Sequence, residues 1–210
     1  MASSIARTLR QRAYREVVLD AAEAIFAEHG FEGARMQSIS ALAGLSVGTV
    51  YEVVGSKDAL FQEVLTRRLP AILTAASTAG ADAATAVERL VLGMHAYVDF
   101  MLAHPNWMRI HLNAHPWGIG PTSSAPERSA WEEGHALHSA VLALAMDEGT
   151  VKRTDPTLLA RSLAAIQQVH LAHWVAGGMQ APASDVRKGV VKFFRESFLS
   201  NAGRKATEPT

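Results

Sequence analysis

One segment constrains this chain more than any other: Gln37-Ser-Ile-Ser-Ala-Leu-Ala-Gly-Leu-Ser-Val-Gly-Thr-Val-Tyr51. Ile39, Leu42 and Ala43 give a first short helix one apolar face. Gly44 follows, and glycine readily takes the left-handed backbone that a tight turn after a helix needs. Leu45 plugs the junction, and Ser46 supplies an N-cap for a second short helix. That helix opens on Val47, Gly48 and Thr49, all small or polar, while Val50 and Val54 point back to a core. Two helices joined in this way suit entry into a major groove. Small side chains at the start of the second can approach base edges, and its first backbone amides meet phosphate.

The rest of the sequence is helical nearly throughout, so the fold class is all-α. Val18, Ala21, Ala22, Ile25 and Phe26 form an amphipathic stripe that Gly30 stops. Ser56 caps a further helix that runs towards Leu73 and meets a kink or break at Pro70. An Ala/Ser/Thr/Gly stretch from Thr74 to Thr85 is helical in part, with a joint at Gly80. Val87, Leu90, Val91, Met94, Val98 and Met101 make the next stripe, ending at His104-Pro105. A short helix then runs from Pro105 to Asn113, and His115 to Pro126 is a loop. Three helices follow, Glu127–Glu148, Pro156–Ala176 and Ser184–Ser200, which brings the total to about nine. The last residues, 204–210, are a loose tail.

Against this background, residues 12–65 resemble the DNA-binding domain of TetR-type transcriptional regulators. The resemblance rests on Ala27-Glu-His-Gly-Phe-Glu-Gly33, then Ile39-Ser-x-x-Ala-Gly-Leu-Ser-x-Gly-Thr-Val-Tyr51, then Gly55-Ser-Lys-Asp-Ala-Leu60. It implies an N-terminal helix-turn-helix domain over 1–55 and a helical effector-binding and dimerisation domain over 56–203. It also implies that Ser46, Val47, Gly48 and Thr49 lie against the groove and that Tyr51 and Lys57 contact phosphate. Arg35, Gln37 and Ser38 then stand near the DNA backbone. Two positions depart from the family pattern: Arg35-Met36 where a Thr or Ser is usual, and Val54 where an aromatic is usual. Arg10 and Arg12, ahead of the first helix, read either as a basic arm or as an ordinary solvated terminus.

In the resembling family the second domain binds a small inducer and forms a homodimer. The residues agree in part. Met94, Trp107, Met108, His111, Trp117, Trp131, His135, His138, His170, His173 and Trp174 mix large apolar bodies with neutral donors and acceptors, which suits a pocket. The same residues also read as a packed aromatic core. No Lys/Arg cluster lines these segments, and Arg109 and Arg161 are isolated, so the effector is expected to be neutral or aromatic and moderately apolar. His135/His138 and His170/His173 are each three apart and can share a helical face, which leaves a metal-sensing alternative. No cofactor is implied. A helical metal enzyme needs paired Glu-x-x-His motifs, and only Glu132-x-x-His135 is present. The stripes Leu159, Leu163, Ile166 and Val186, Val190, Phe193/Phe194 mark the last two helices as the implied dimer interface. The implied function is that of a repressor released from a palindromic operator when ligand moves the Ser56–Leu69 helix.

Composition adds exclusions. The 210 residues contain no cysteine, which removes disulfides, thiolate metal sites and thiol chemistry. Val141–Met146 is the purest apolar run and falls far short of a membrane span. No apolar segment follows the early arginines as a secretory signal requires, so the expected location is the cytoplasm, with no membrane partner. Net charge is zero, and residues 1–68 balance eight cations with eight acids. Any binding to DNA must then rest on a few placed cations, helix N-termini and two matched heads.

Overall fold

The computed structural model describes residues 2–114 and 125–207. Among them run eleven helices: α1 (Ala2–Gly33), α2 (Met36–Ala43), α3 (Val47–Val54), α4 (Lys57–Thr66), α5 (Leu69–Thr78), α6 (Ala86–Ala103), α7 (Pro105–Ala114), α8 (Ala125–Asp147), α9 (Pro156–Ala176), α10 (Ala183–Phe198) and α11 (Asn201–Ala206). Most of the loop expected over His115–Pro126 lies outside the described residues, as do His115 and Trp117; Ala125 and Pro126 already open α8. Among the described residues no helix is long and apolar enough to cross a membrane.

The helices form two compact units, one of Met1–Arg68 with Asn106–His111, the other of Leu69–Pro105 with Leu112–Thr210. The sequence division at 55 falls inside the first, because α4 packs on α1 and α3 and stays with them.

In the first unit Val18, Ala22 and Phe26 of α1 meet Ile39, Val50, Leu60 and Val64, all buried. Gly30 takes φ 67° and ψ 178°, so the regular helix breaks there, as glycine permits. Arg10 and Arg12 do not precede the first helix. They lie on α1, exposed, because the helix already begins at Ala2. Leu42 is also corrected: it is 57% exposed. The buried face of α2 is Met36, Ile39 and Ser40, at i, i+3 and i+4. Ser40 is tolerated inside because its hydroxyl donates to the Gln37 carbonyl at 2.9 Å. The break after α4 falls at Arg67-Arg68, and Pro70 sits in the first turn of α5, where a missing N–H costs little. Arg67 pairs with Asp20 at 2.7 Å and Arg68 with Glu23 at 3.1 Å, which uses two of the acids on α1.

In the second unit the stripe Val87, Leu90, Met94, Val98 and Met101 of α6 is buried with Leu142, Leu163, Leu171, Val190 and Phe194. Thr85 caps α6 by accepting from Glu88 N–H at 3.2 Å, while the Glu88 carboxylate reaches back to Ala84 N–H at 3.0 Å. The C-terminus is not a loose tail as far as it is described. Ser200 caps α11, and Gly203 abuts the Thr150 carbonyl so closely that any Cβ would overlap it. An isolated antiparallel bridge between Val151 and Leu199 fixes the approach.

Candidate functional site

In the first unit α2, Gly44 and α3 make the expected turn. Gly44 is left-handed at φ 66° and ψ 28°, and Leu45 N–H closes on the Ser40 carbonyl at 3.0 Å. Ser46 caps α3: its hydroxyl oxygen accepts from Thr49 N–H at 3.1 Å and lies 2.8 Å from the Thr49 hydroxyl. Val50 and Val54 are buried, which turns Gly48, Tyr51 and Glu52 outward. Val47 and Thr49 are half-buried beside them. Gly48 is not needed for packing. A Cβ there would meet only the Ser46 hydroxyl, at 3.8 Å. A helix-interior glycine costs roughly 0.5–1 kcal/mol relative to alanine, so the bare spot has no justification within the chain.

The flanks of this surface are built differently. Arg35 occupies the N-cap position of α2 in an extended conformation, exposed, and caps nothing with its side chain. Gln37 is exposed and Ser38 half-buried on the same first turn. Ser56 caps α4 by accepting from Ala59 N–H at 3.1 Å. Lys57, the first residue of α4, lies 4.6 Å over the Phe31 ring and donates to the Glu32 carbonyl at 3.4 Å. Its ammonium is thus held by the last residues of α1 rather than swinging freely.

The ligand candidates fall in both units. Trp107, Met108 and His111 belong to the first unit and are buried there. Trp107 donates its indole N–H to the carbonyls of Val64 and Leu65 in the last turn of α4, at 3.0 and 3.2 Å, and stacks on His111. In the second unit Met94 is packed in the core. Trp174 donates to the Ala181 carbonyl at 2.8 Å, fixing the loop before α10. Trp131 and His135 pack as a tilted ring pair at 4.9 Å. His138 is 3.0 Å from the Gly134 carbonyl through Nδ1, and His170 lies edge-on to Phe193. Burial holds the imidazoles of His135, His138 and His170 below the ordinary value, so all three favour the neutral form. His138 lines a cavity of about 40 Å³ with Leu73, Leu90, Gly93, Gly134 and Val141. Among the described residues no three His, Asp or Glu side chains converge as a metal site needs.

The comparisons with known proteins fit the geometry of α1–α4. Residues 18–64 match the family model described as bacterial regulatory proteins, tetR family. Over that segment the chain is similar to the TetR family. The match supports a DNA-binding transcriptional regulator. A relative, the HTH-type transcriptional repressor SCO4008 of Streptomyces coelicolor, is 24% identical over 185 residues, covering 85% of this chain and 91% of that protein. A transcriptional regulator of Saccharomonospora viridis, solved with choline, shares the fold at TM-score 0.73 and 18% identity, over 89% of this chain and 98% of its own. SmeT, the repressor of the Stenotrophomonas maltophilia efflux pump SmeDEF, does so at TM-score 0.68 and 20% identity, over 90% and 92%.

Two features of this chain carry no signal in the motifs of its sequence. Arg15, on α1, donates through Nε and Nη2 to the Glu63 carboxylate at 2.5 and 2.6 Å, and through Nη1 to the Val53 carbonyl at 2.7 Å. It thereby fastens the C-terminal end of α3 to α4. Its partners are 38 and 48 residues away, and no local pattern announces them. The second feature is a pair of buried glutamines on α9, Gln167 and Gln168. Their one available signal was two adjacent amides in an apolar stripe.

Proposed function

We propose that this chain is a TetR-type repressor that binds a palindromic operator as a homodimer and is released by a small-molecule effector. The observation that carries the DNA reading is the exposed, unfilled position at Gly48, on a helix whose N-terminal end faces outward. A helix that must lie in a major groove gains from a missing side chain there. In this reading Val47 and Thr49 flank the base edges, Ser46 and Gly48 allow close approach, and Tyr51 and Lys57 contact phosphate. Arg35, Gln37 and Ser38 stand at the N-terminus of α2. The absence of a side-chain cap there leaves its first amides for the DNA backbone. One short helix reads too few base pairs for selectivity, so two heads related by a two-fold axis are needed. Leu158, Val169 and Phe193 are 62%, 46% and 44% exposed on α9 and α10, and they are the apolar surface offered to a second copy.

Release requires an effector that binds one conformer more tightly than the DNA-bound one. Support for the route comes from α7, whose residues Asn106–His111 pack in the first unit while its remainder belongs to the second. Trp107 hydrogen-bonds the last carbonyls of α4, so a shift of α7 is felt at α4 and then, through Arg15, at α3. The chain acts by binding, in the cytoplasm, without a catalytic step.

Gly48→Leu tests the DNA reading. The variant should fold with an unchanged or higher melting temperature, since nothing inside the chain opposes the side chain. It should lose at least about tenfold in operator affinity, the equivalent of 1.4 kcal/mol. Wild-type affinity in this variant would remove α3 from the interface.

A further inference from the structure

The helix α3 carries one charged side chain, and it is an acid. Between Val47 and Val54 there is no Arg, Lys, Asn or Gln, the side chains that most often read guanine and adenine edges. Val50 and Val54 are buried, and Gly48 presents no side chain. The hydroxyls of Ser46 and Thr49 lie 2.8 Å apart and satisfy each other. Two long polar side chains remain on the exposed face, Tyr51 and Glu52. Glu52 forms no hydrogen bond and no ion pair among the described residues. Arg15 reaches the end of α3 at the Val53 carbonyl, but it gives its other donors to Glu63. A lone carboxylate on a surface that docks on DNA is opposed by every phosphate within a Debye length, so it needs a donor on the nucleic acid.

We infer that Glu52 is the specificity-determining residue of α3 and that it accepts a hydrogen bond from the N4 amino group of a cytosine in each half-site. This rests on the operator-binding reading above and deepens it. An ionised carboxylate can only accept. In the major groove guanine and thymine offer acceptors. Adenine sets its N6 donor beside the N7 acceptor, which repels a second carboxylate oxygen. Cytosine alone shows a donor with no acceptor on the same base. The backbone puts the carboxylate in reach. Glu52 stands four residues after Gly48, on the same helical face. Helical side chains lean over the turn N-terminal to them, so Glu52 extends over the bare Gly48, towards the end of α3 that enters the groove. Within 4 Å a Cβ at Gly48 would meet only the Ser46 hydroxyl, at 3.8 Å, so the space beside that carboxylate is open to a base pair. The missing side chain lets the helix approach, and the acid reads what it meets.

The test selects bound duplexes from one random library with the full chain, as wild type, Glu52→Gln and Glu52→Ala. The position is exposed and unpartnered, so both variants should melt within about 2 °C of wild type. Wild type should enrich a palindrome with a cytosine in each half-site that neither variant requires. Glu52→Gln should move that position towards adenine, which a carboxamide meets through N6 and N7 together. Glu52→Ala should lose the preference there and gain affinity for scrambled duplex, since a charge facing the phosphates has gone. Its ratio of affinity for the enriched duplex over the scrambled one should fall about tenfold, within the range of one base contact. N4-methylcytosine at that position should cost wild type a similar factor and leave Glu52→Ala unaffected. The inference is overturned if both variants enrich the wild-type site unchanged, if the position they alter is not a cytosine in wild type, or if N4-methylation weakens Glu52→Ala as much as wild type. In each of those outcomes the wild-type palindrome stands and only this inference is refuted. A wild type that binds no duplex refutes the operator reading, and this inference with it.

Discussion

Replacing Arg15 with alanine removes three hydrogen bonds at once, two to the Glu63 carboxylate and one to the Val53 carbonyl. The side chains are 45% and 27% exposed, so the ion pair is worth about 0.5–1 kcal/mol, in the upper part of the exposed-pair range because it is bidentate. The bond to Val53 places a cation at the C-terminal end of α3 and contributes about 1 kcal/mol more. The sum, about 1.5–2 kcal/mol, corresponds to a fall of roughly 3–8 °C in melting temperature for a chain of this length. Arg15 sits behind α3 rather than on its exposed face, so its loss should misplace that helix without removing a phosphate contact. Operator affinity should therefore fall while the dependence of log K on log salt keeps its slope. Fluorescence anisotropy with labelled operator across a salt series reads both quantities. A slope shallower by about 0.9, with an unchanged melting temperature, would mean that Arg15 is itself a phosphate ligand, and the positioning argument would fail. Arg15→Ala and Glu63→Ala combined should cost less than the sum of the two, by about 0.5–1 kcal/mol.

Tyr51→Phe with Lys57→Ala should weaken binding to all DNA sequences alike and flatten the salt slope, whereas changes at Val47 or Thr49 should alter sequence preference; anisotropy on cognate and scrambled duplexes separates the two. Gly203→Ala should destabilise the chain by about 1–3 kcal/mol, seen in urea unfolding, because the new methyl overlaps the Thr150 carbonyl and α11 must shift. Burial lowers the folded-state values of His135, His138 and His170, so the unfolded chain binds protons first on acidification. Stability should be level above about 6.5 and fall as pH drops below it towards the folded values. His138→Asn should make that fall shallower in melting curves taken against pH.

What could be seen in the sequence was local. Ser46 and Ser56 cap their helices because a hydroxyl three residues ahead of an amide meets it whatever lies elsewhere. Gly30 and Gly44 end helices through their own backbone freedom. Thr85-x-x-Glu88 is equally local, a hydroxyl and a carboxylate that cap the start of α6. Errors came where burial depended on a distant surface. Leu42 looks like core on its own helix, yet α2 turns Ser40 inward instead, since that hydroxyl satisfies itself on Gln37. Pro70 looks like a break, but the turn at Arg67-Arg68 had already ended α4, where both guanidiniums reach acids on α1. The surroundings of the ligand candidates were the least legible. Trp107 and Trp174 have the composition of pocket residues, but the carbonyls that take their N–H groups cannot be found by spacing.

The measurement that bears most directly on the central claim is selection of DNA from a random duplex library by the full-length chain, followed by footprinting of the enriched site. The account predicts one palindromic site, with two half-sites centred about 34–36 Å apart or a multiple of that. It also predicts that Gly48→Leu no longer enriches it. Recovery of no preferred sequence, or of a single unrepeated half-site bound by one chain, would contradict it.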